Sequence, residues 1–91
     1  MKDGNWTAEE IRNEVKQLVS KVTELNAEEI SDTALFIEEL GIDSLMAIEI
    51  LVSMDKKYKI QISDEEFTKV KNVNDAVELV QRSLENRPAL Q

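Results

Sequence analysis

The segment Gly41-Ile42-Asp43-Ser44-Leu45 leads from a stretch without periodicity into the most apolar helical run of the chain. Gly41 can adopt the positive φ of a tight turn, and Asp43 is a favourable N-cap. Ser44 is therefore predicted to lie in the first turn of a helix that continues to Tyr58. Unpaired backbone N–H groups and the helix macrodipole favour negative charge there, so a phosphate ester on Ser44 would be stabilised. Taken on these five residues alone, a simple capping serine is the favoured interpretation.

The predicted helix from Ser44 to Tyr58 carries apolar side chains on two sides. Those expected to face a core share an arc of about 100°: Ala47, Ile50, Leu51, Met54 and Tyr58. A second stripe points the other way and is flanked by Glu49 and Asp55: Leu45, Ile48 and Val52. A helix packed on one face usually carries polar residues on the other, so the second stripe predicts a docking face. The alternative is a central helix that is buried on all sides.

Three further helices are predicted from capping pairs in which an acidic residue follows the cap by three positions. The pairs are Thr7 with Glu10, Ser63 with Glu66, and Asn72 with Asp75. The first helix begins at about Ala8, and the helix after Ser63 is short. The first and last helices have one apolar stripe each: Ile11, Val15, Leu18, Val22 and Leu25, and Val73, Ala76, Val77, Val80 and Leu84. The last stripe repeats the inward spacing of the helix after Ser44, which predicts that these two helices face each other.

These elements predict an all-α fold, a four-helix bundle of three main helices and a short third one. The domain is expected to span residues 7–85, with an N-terminal tail at 1–6 and a C-terminal tail at 86–91. Residues 26–43 form a long loop with one short helical turn at about Leu35 to Leu40. Apolar residues are expected to anchor that loop by packing beneath it: Ile30, Leu35, Phe36, Ile37 and Leu40.

Composition narrows the possible functions. The net charge is −8, which disfavours binding to nucleic acid and favours partners with basic surfaces. Cysteine and histidine are absent, so disulfides and conventional nucleophilic or acid–base catalysis are not expected, and we predict that the chain is not an enzyme. Adjacent acidic pairs diverge on a helix, and no metal site is predicted. Without a membrane-spanning run or a signal-peptide pattern, a cytoplasmic location and no membrane partner are expected.

From Ile11 to Val80 the sequence resembles the acyl carrier protein family. The resemblance is strongest in Phe36-Ile37-Glu38-Glu39-Leu40-Gly41-Ile42-Asp43-Ser44-Leu45, which is similar to the family signature. It implies that Ser44, between Asp43 and Leu45, carries a covalent 4′-phosphopantetheine transferred from coenzyme A, with acyl groups held as thioesters. Met46 stands where carriers of fatty acid synthesis commonly have an acid, so the helix motif is closer to that of polyketide synthase carriers.

The resemblance also implies partners: a phosphopantetheinyl transferase, and a ketosynthase, an acyltransferase and related synthase enzymes with basic docking patches. We expect a monomer that binds them through one face: Leu45, Met46, Ile48, Glu49, Val52 and Asp55. Asp43, Glu49 and Asp55 are predicted to steer the basic patch. The rival hypothesis is an acidic helical interaction module with no prosthetic group. Enclosure of the acyl chain in the core and its exposure to solvent remain equal alternatives.

Overall fold

The structure is a computed structural model that describes residues 6–86. This part of the chain contains four α-helices. They are α1 (Ala8–Thr23), α2 (Ser44–Tyr58), α3 (Asp64–Phe67) and α4 (Val73–Asn86). A single 3-10 turn, Ala27–Glu29, was not predicted, and residues 6–86 contain no strand. The predicted all-α fold of three main helices and a short third one is confirmed. Residues 1–5 and 87–91 of the predicted tails lie outside the described part of the chain.

The helix starts predicted from capping pairs are confirmed. At the start of α1, Thr7 Oγ1 accepts the backbone N–H of Glu10 at 3.1 Å, and Glu10 Oε1 accepts that of Thr7 at 3.0 Å. The first residue of each later pair accepts the backbone N–H of the second: Ser63 from Glu66 at 3.1 Å, and Asn72 from Asp75 at 2.9 Å. Each bond satisfies a donor that the first helical turn leaves unpaired.

The first helix, α1, is the centre of the bundle because it packs against both α2 and α4. Its fully buried side chains are Ile11, Val15 and Val19, with Leu18 and Val22 half-buried. The predicted stripe missed Val19, since a helix covered on two sides buries a wider arc than a helix covered on one. It also included Leu25, which is exposed because α1 ends at Thr23 and Glu24 adopts a left-handed conformation.

The prediction that α2 and α4 face each other holds over only a small area, since both pack mainly on α1. The predicted inward residues of α2 are confirmed as buried apart from Ala47, which is half-buried: Ile50, Leu51, Met54 and Tyr58. In α4, Leu79 joins the predicted residues in the core, and Leu84 is half-buried. Matching stripes show that two helices face a common core, but they do not show which helix lies opposite which.

The long loop before α2 is held from below by buried apolar side chains, mainly Ile30, Phe36 and Ile42. The predicted turn near Leu35 is present as a single helical turn, in which the Leu35 carbonyl accepts the N–H of Glu39 at 2.9 Å. Ile37 was expected to be an anchor, and this expectation is wrong because its side chain is 72% exposed. Neighbouring side chains on a helical turn diverge by about 100°, and here Phe36 points inward while Ile37 points to solvent.

Asp32 ties the same loop to two helices. Its carboxylate pairs with α1 through Arg12 Nε at 3.1 Å and Lys16 Nζ at 2.7 Å. Its backbone carbonyl accepts the N–H of Asn74 in α4 at 3.1 Å. The loop that leads to Ser44 is therefore fixed to the bundle by polar bonds as well as by apolar packing.

Trp6 joins the start of α1 to the end of α2. Its ring meets that of Tyr58 edge-on, with centroids 5.0 Å apart and an interplanar angle of 87°. Burial, together with the nearby charges of Glu14 and Glu10, raises the pKa of Tyr58 well above its usual range. The phenol therefore stays neutral across the physiological pH range. The ring contact holds the start of α1 against the end of α2.

Candidate functional site

The turn that delivers Ser44 is built from Gly41, Ile42 and Asp43. Gly41 has φ +71°, and a Cβ at this position would meet no atom within 4 Å, so the need for glycine is conformational rather than steric. Ile42 is buried, and its N–H donates to the carbonyl of Phe36 at 2.9 Å. The chain is thus closed into a loop whose last residues are held against the core.

Asp43 is the N-cap of α2, as predicted. Its Oδ1 accepts the backbone N–H of Met46 at 2.9 Å, and its carbonyl accepts that of Ala47 at 2.9 Å. Ser44 is consequently the first residue of α2, and it is exposed. The cap fixes the backbone of the first turn and leaves the serine side chain at the surface.

The surroundings of the Ser44 hydroxyl hold few groups that could take part in chemistry. The chain has no histidine or cysteine that could act as a base beside it, and the carboxylate of Asp43 already binds a backbone N–H. Among residues 6–86, no group of three or more acidic side chains is placed to hold a metal ion. Ser44 is therefore an exposed hydroxyl at the start of α2, with Asp43 engaged in the helix cap.

The second apolar stripe of α2 is at the surface, which confirms the predicted exposed face and excludes burial on all sides. Leu45 is 66% exposed, Ile48 is 52% exposed and Val52 is 44% exposed. Glu49 is exposed beside them, whereas Met46 is half-buried and packs against the core. No helix within residues 6–86 is long and apolar enough to span a bilayer. The stripe is thus an apolar surface on a protein whose sequence is strongly acidic.

Asp55, the second acid predicted at this surface, is less exposed than Glu49. Its side chain is half-buried, and its Oδ1 accepts the backbone N–H of Ile62 at 3.2 Å. Burial raises the pKa of Asp55 above its ordinary value, and the bond from Ile62 only partly opposes that shift. The carboxylate is engaged with the connection from α2 to α3, and Glu49 is the acid of the α2 surface that makes no such bond among the described residues.

Sequence reasoning missed Ile37 as a surface residue of this region. The bond from Ile42 to Phe36 brings the loop turn beside the start of α2, so Ile37 is exposed close to the chain segment that holds Ser44. The apolar character of Ile37 gave no sign of its exposure, because its neighbour Phe36 is equally apolar and lies in the core. The two following residues, Glu38 and Glu39, were the available signal that this side of the turn meets solvent.

Comparison with known proteins identifies the family. The family model described as the phosphopantetheine attachment site matches residues 13–80, a segment that includes Ser44. An acyl carrier protein of Wolinella succinogenes is 34% identical over 71 residues, covering 78% of this chain and 93% of the relative. The polyketide-8 synthase acyl carrier protein 2 of Streptomyces avermitilis is 34% identical over 73 residues, covering 80% and 84%.

The fold has a solved counterpart. A structure of the acyl carrier protein from Enterococcus faecalis, studied for its high thermal stability, superposes with a TM-score of 0.73 at 24% identity, covering 86% of this chain and 99% of that one. This likeness supports the helical arrangement, while the family model and the two relatives support membership of the family. The chain belongs to the acyl carrier protein family, and its prosthetic group is 4′-phosphopantetheine.

Proposed function

We propose that this chain carries acyl groups on a 4′-phosphopantetheine arm attached to Ser44, and delivers them between enzymes of fatty acid or polyketide synthesis. The observation that carries the site assignment is the exposure of Ser44 at the first turn of α2, inside the segment that matches the phosphopantetheine attachment model. The arm supplies a thiol, which a chain without cysteine lacks.

The other serines within residues 13–80 are less suitable than Ser44. Three of them use their hydroxyls within the fold: Ser20 donates to the carbonyl of Leu25, Ser31 pairs with Thr33, and Ser63 caps α3. Ser53 is half-buried within α2. Ser44 combines exposure with a helix N-terminus, where the negative charge of a phosphodiester is favourable.

The partner surface that we propose is the exposed side of α2. Leu45, Ile48 and Val52 supply apolar contact, and Asp43 and Glu49 attract basic patches on the phosphopantetheinyl transferase, the ketosynthase and the acyltransferase. Steering by exposed charge raises the association rate without requiring a tight complex, which suits a monomeric carrier that must leave after each transfer. Asp55 contributes less than the sequence suggested, because its carboxylate is bound to Ile62.

The choice between the two pathways rests on a single position. Relatives are found both among acyl carrier proteins named without a pathway and among polyketide synthase carriers. Met46, which is half-buried in α2, favours the polyketide assignment because carriers of fatty acid synthesis commonly have an acid there. We also propose that the chain acts as a cytoplasmic carrier and not as a catalyst.

The test is co-expression with a broad-specificity phosphopantetheinyl transferase followed by intact mass spectrometry. The proposal predicts a mass increase of one phosphopantetheine on the wild-type chain. The rival hypothesis, an acidic interaction module without a prosthetic group, predicts the unmodified mass. An unmodified product in a preparation where a control carrier protein is fully modified would contradict the proposed function.

A further inference from the structure

The exposed face of α2 changes sign along its length. Near Ser44 it carries Asp43 and Glu49, whereas its far end carries Lys56 and Lys59. All four side chains are exposed. The chain as a whole is strongly acidic, with a net charge of −8, so two neighbouring exposed lysines oppose the prevailing charge.

Geometry places Lys56 on the same side of the helix as the apolar stripe. Lys56 follows Val52 by four residues and Glu49 by seven, and both intervals return to the same face of an α-helix. Val52 is 44% exposed and lies between the two charges. At 1.5 Å per residue, Glu49 and Lys56 are about 10 Å apart along the axis, and Ser44 and Lys56 are about 18 Å apart.

The neighbouring Lys57, in contrast, makes contacts within the fold. Its Nζ lies 3.8 Å from Glu14 Oε1 and 5.4 Å from the centre of the Trp6 ring, so its charge is directed toward α1. Neither Lys56 nor Lys59 makes an ion pair among the described residues. Their ammonium groups are therefore available to a partner, unlike that of Lys57.

The acid nearest to the two lysines in the sequence of α2 is Asp55. It precedes Lys56 directly, but its side chain is half-buried and its Oδ1 is directed to the N–H of Ile62 in the connection to α3, whereas Lys56 and Lys59 are exposed. Lys59 is the C-cap of α2 and has φ 56°, a conformation in which glycine is the usual residue. A lysine at this position keeps a positive charge beside Lys56 at the end of the stripe.

We propose that the enzymes serving this carrier, its own phosphopantetheinyl transferase among them, dock on α2 with a surface that carries both a basic patch and an acidic patch. That surface is basic beside the active-site entrance that receives Ser44 and acidic about 18 Å further along, opposite Lys56 and Lys59. The inference rests on the proposed function and names the partner of the same site. A complementary pair of charges at each end of one helix fixes the direction of docking, which a uniformly acidic helix cannot do.

The lysines also have a simpler possible role, because cations in the last turn of a helix interact favourably with its dipole. Lys21 offers a matched control, since it is exposed in the last turn of α1. Lys21→Glu and Lys56→Glu make the same change to the net charge and to a helix C-terminus. They differ in that only Lys56 lies on the exposed face of α2.

The experiment measures the second-order rate of phosphopantetheine transfer by the transferase of the source organism. Wild type, Lys56→Glu, Lys59→Glu and Lys21→Glu are compared at low and high salt, after circular dichroism has shown equal helix content. We expect Lys56→Glu and Lys59→Glu to react roughly threefold more slowly than wild type at low salt, with the difference shrinking as salt rises. Lys21→Glu should react as fast as wild type or faster, because it adds negative charge without opposing the acidic part of the enzyme.

The direction in which the transfer rate changes decides whether the partner surface has an acidic patch. If Lys56→Glu and Lys59→Glu react as fast as Lys21→Glu or faster, the docking surface is uniformly basic and the proposal is wrong. If wild type itself gains no phosphopantetheine, the proposed function fails first, and this inference falls with it. The two failures are distinguishable because the first occurs in protein that is fully modified at long times.

Discussion

Asp55 Oδ1 accepts the backbone N–H of Ile62 at 3.2 Å, across the connection between α2 and α3. The backbone carbonyl of Asp55 also accepts the N–H groups of Lys59 at the end of α2 and of Ile60. One residue thus closes α2 and holds the segment that leads to α3, with Ile62 buried in the core. Asp55 is thus part of the framework that supports the exposed face of α2.

Asp55→Ala should destabilise the protein by about 1–2 kcal/mol, because it leaves the N–H of Ile62 without its acceptor in a buried segment. Asp55→Asn keeps an oxygen at the same place and should lose less. Urea unfolding followed by circular dichroism measures both. Equal stability of Asp55→Ala and wild type would show that the bond to Ile62 makes no net contribution.

The titration of Asp55 gives a prediction with a definite sign. Because burial raises its pKa in the folded state above the ordinary value of 3.8, the folded protein binds this proton more tightly than the unfolded chain does. The stability due to protonated Asp55 is present below pH 3.8 and is lost as pH rises through the raised value. The stability of wild type relative to Asp55→Asn should therefore decrease as pH rises above 3.8 and through the raised pKa. Urea titrations at several pH values measure this difference, and a constant difference would contradict it.

Gly41 offers a test of backbone conformation. Because its φ is +71° and the space around a Cβ is empty, Gly41→Ala should cost about 1 kcal/mol through conformation alone. Gly41→Asn should cost less, since asparagine tolerates the left-handed region better than alanine. Unfolding free energies of the two variants provide the comparison. A larger loss for asparagine would indicate a steric limit that the structure does not show.

Glu49→Lys tests steering at the acidic end of α2. We expect slower phosphopantetheine transfer than for wild type and a flatter dependence of the rate on salt, because an attraction screened beyond about 8 Å at physiological ionic strength has been removed. Glu78→Lys, at an exposed position of α4, is the matched control for net charge. Modification reactions quenched at set times across a salt series give the second-order rates of transfer. Identical rates and slopes for the two variants would place recognition away from α2.

Local features of the fold could be predicted from the sequence, and long-range ones could not. The cap at Asp43 was predictable because it depends on residues close in the sequence, and the exposure of Ile48 because it follows from helical periodicity. The burial of Val19 depends on α1 lying between two helices, and the role of Asp55 depends on how the chain turns after Lys59. These facts arise from tertiary arrangement, for which a single sequence has no periodic signal.

The attachment of phosphopantetheine to Ser44 is the central claim, and peptide-level mass spectrometry after reaction with coenzyme A and a phosphopantetheinyl transferase tests it most directly. The account predicts that the modification maps to Ser44 in wild type, that Ser44→Ala gains no mass while keeping the helical spectrum, and that Ser53→Ala, a control within the same helix, is modified as wild type is. Modification of folded Ser44→Ala, or a modified peptide from another part of the chain, would contradict it.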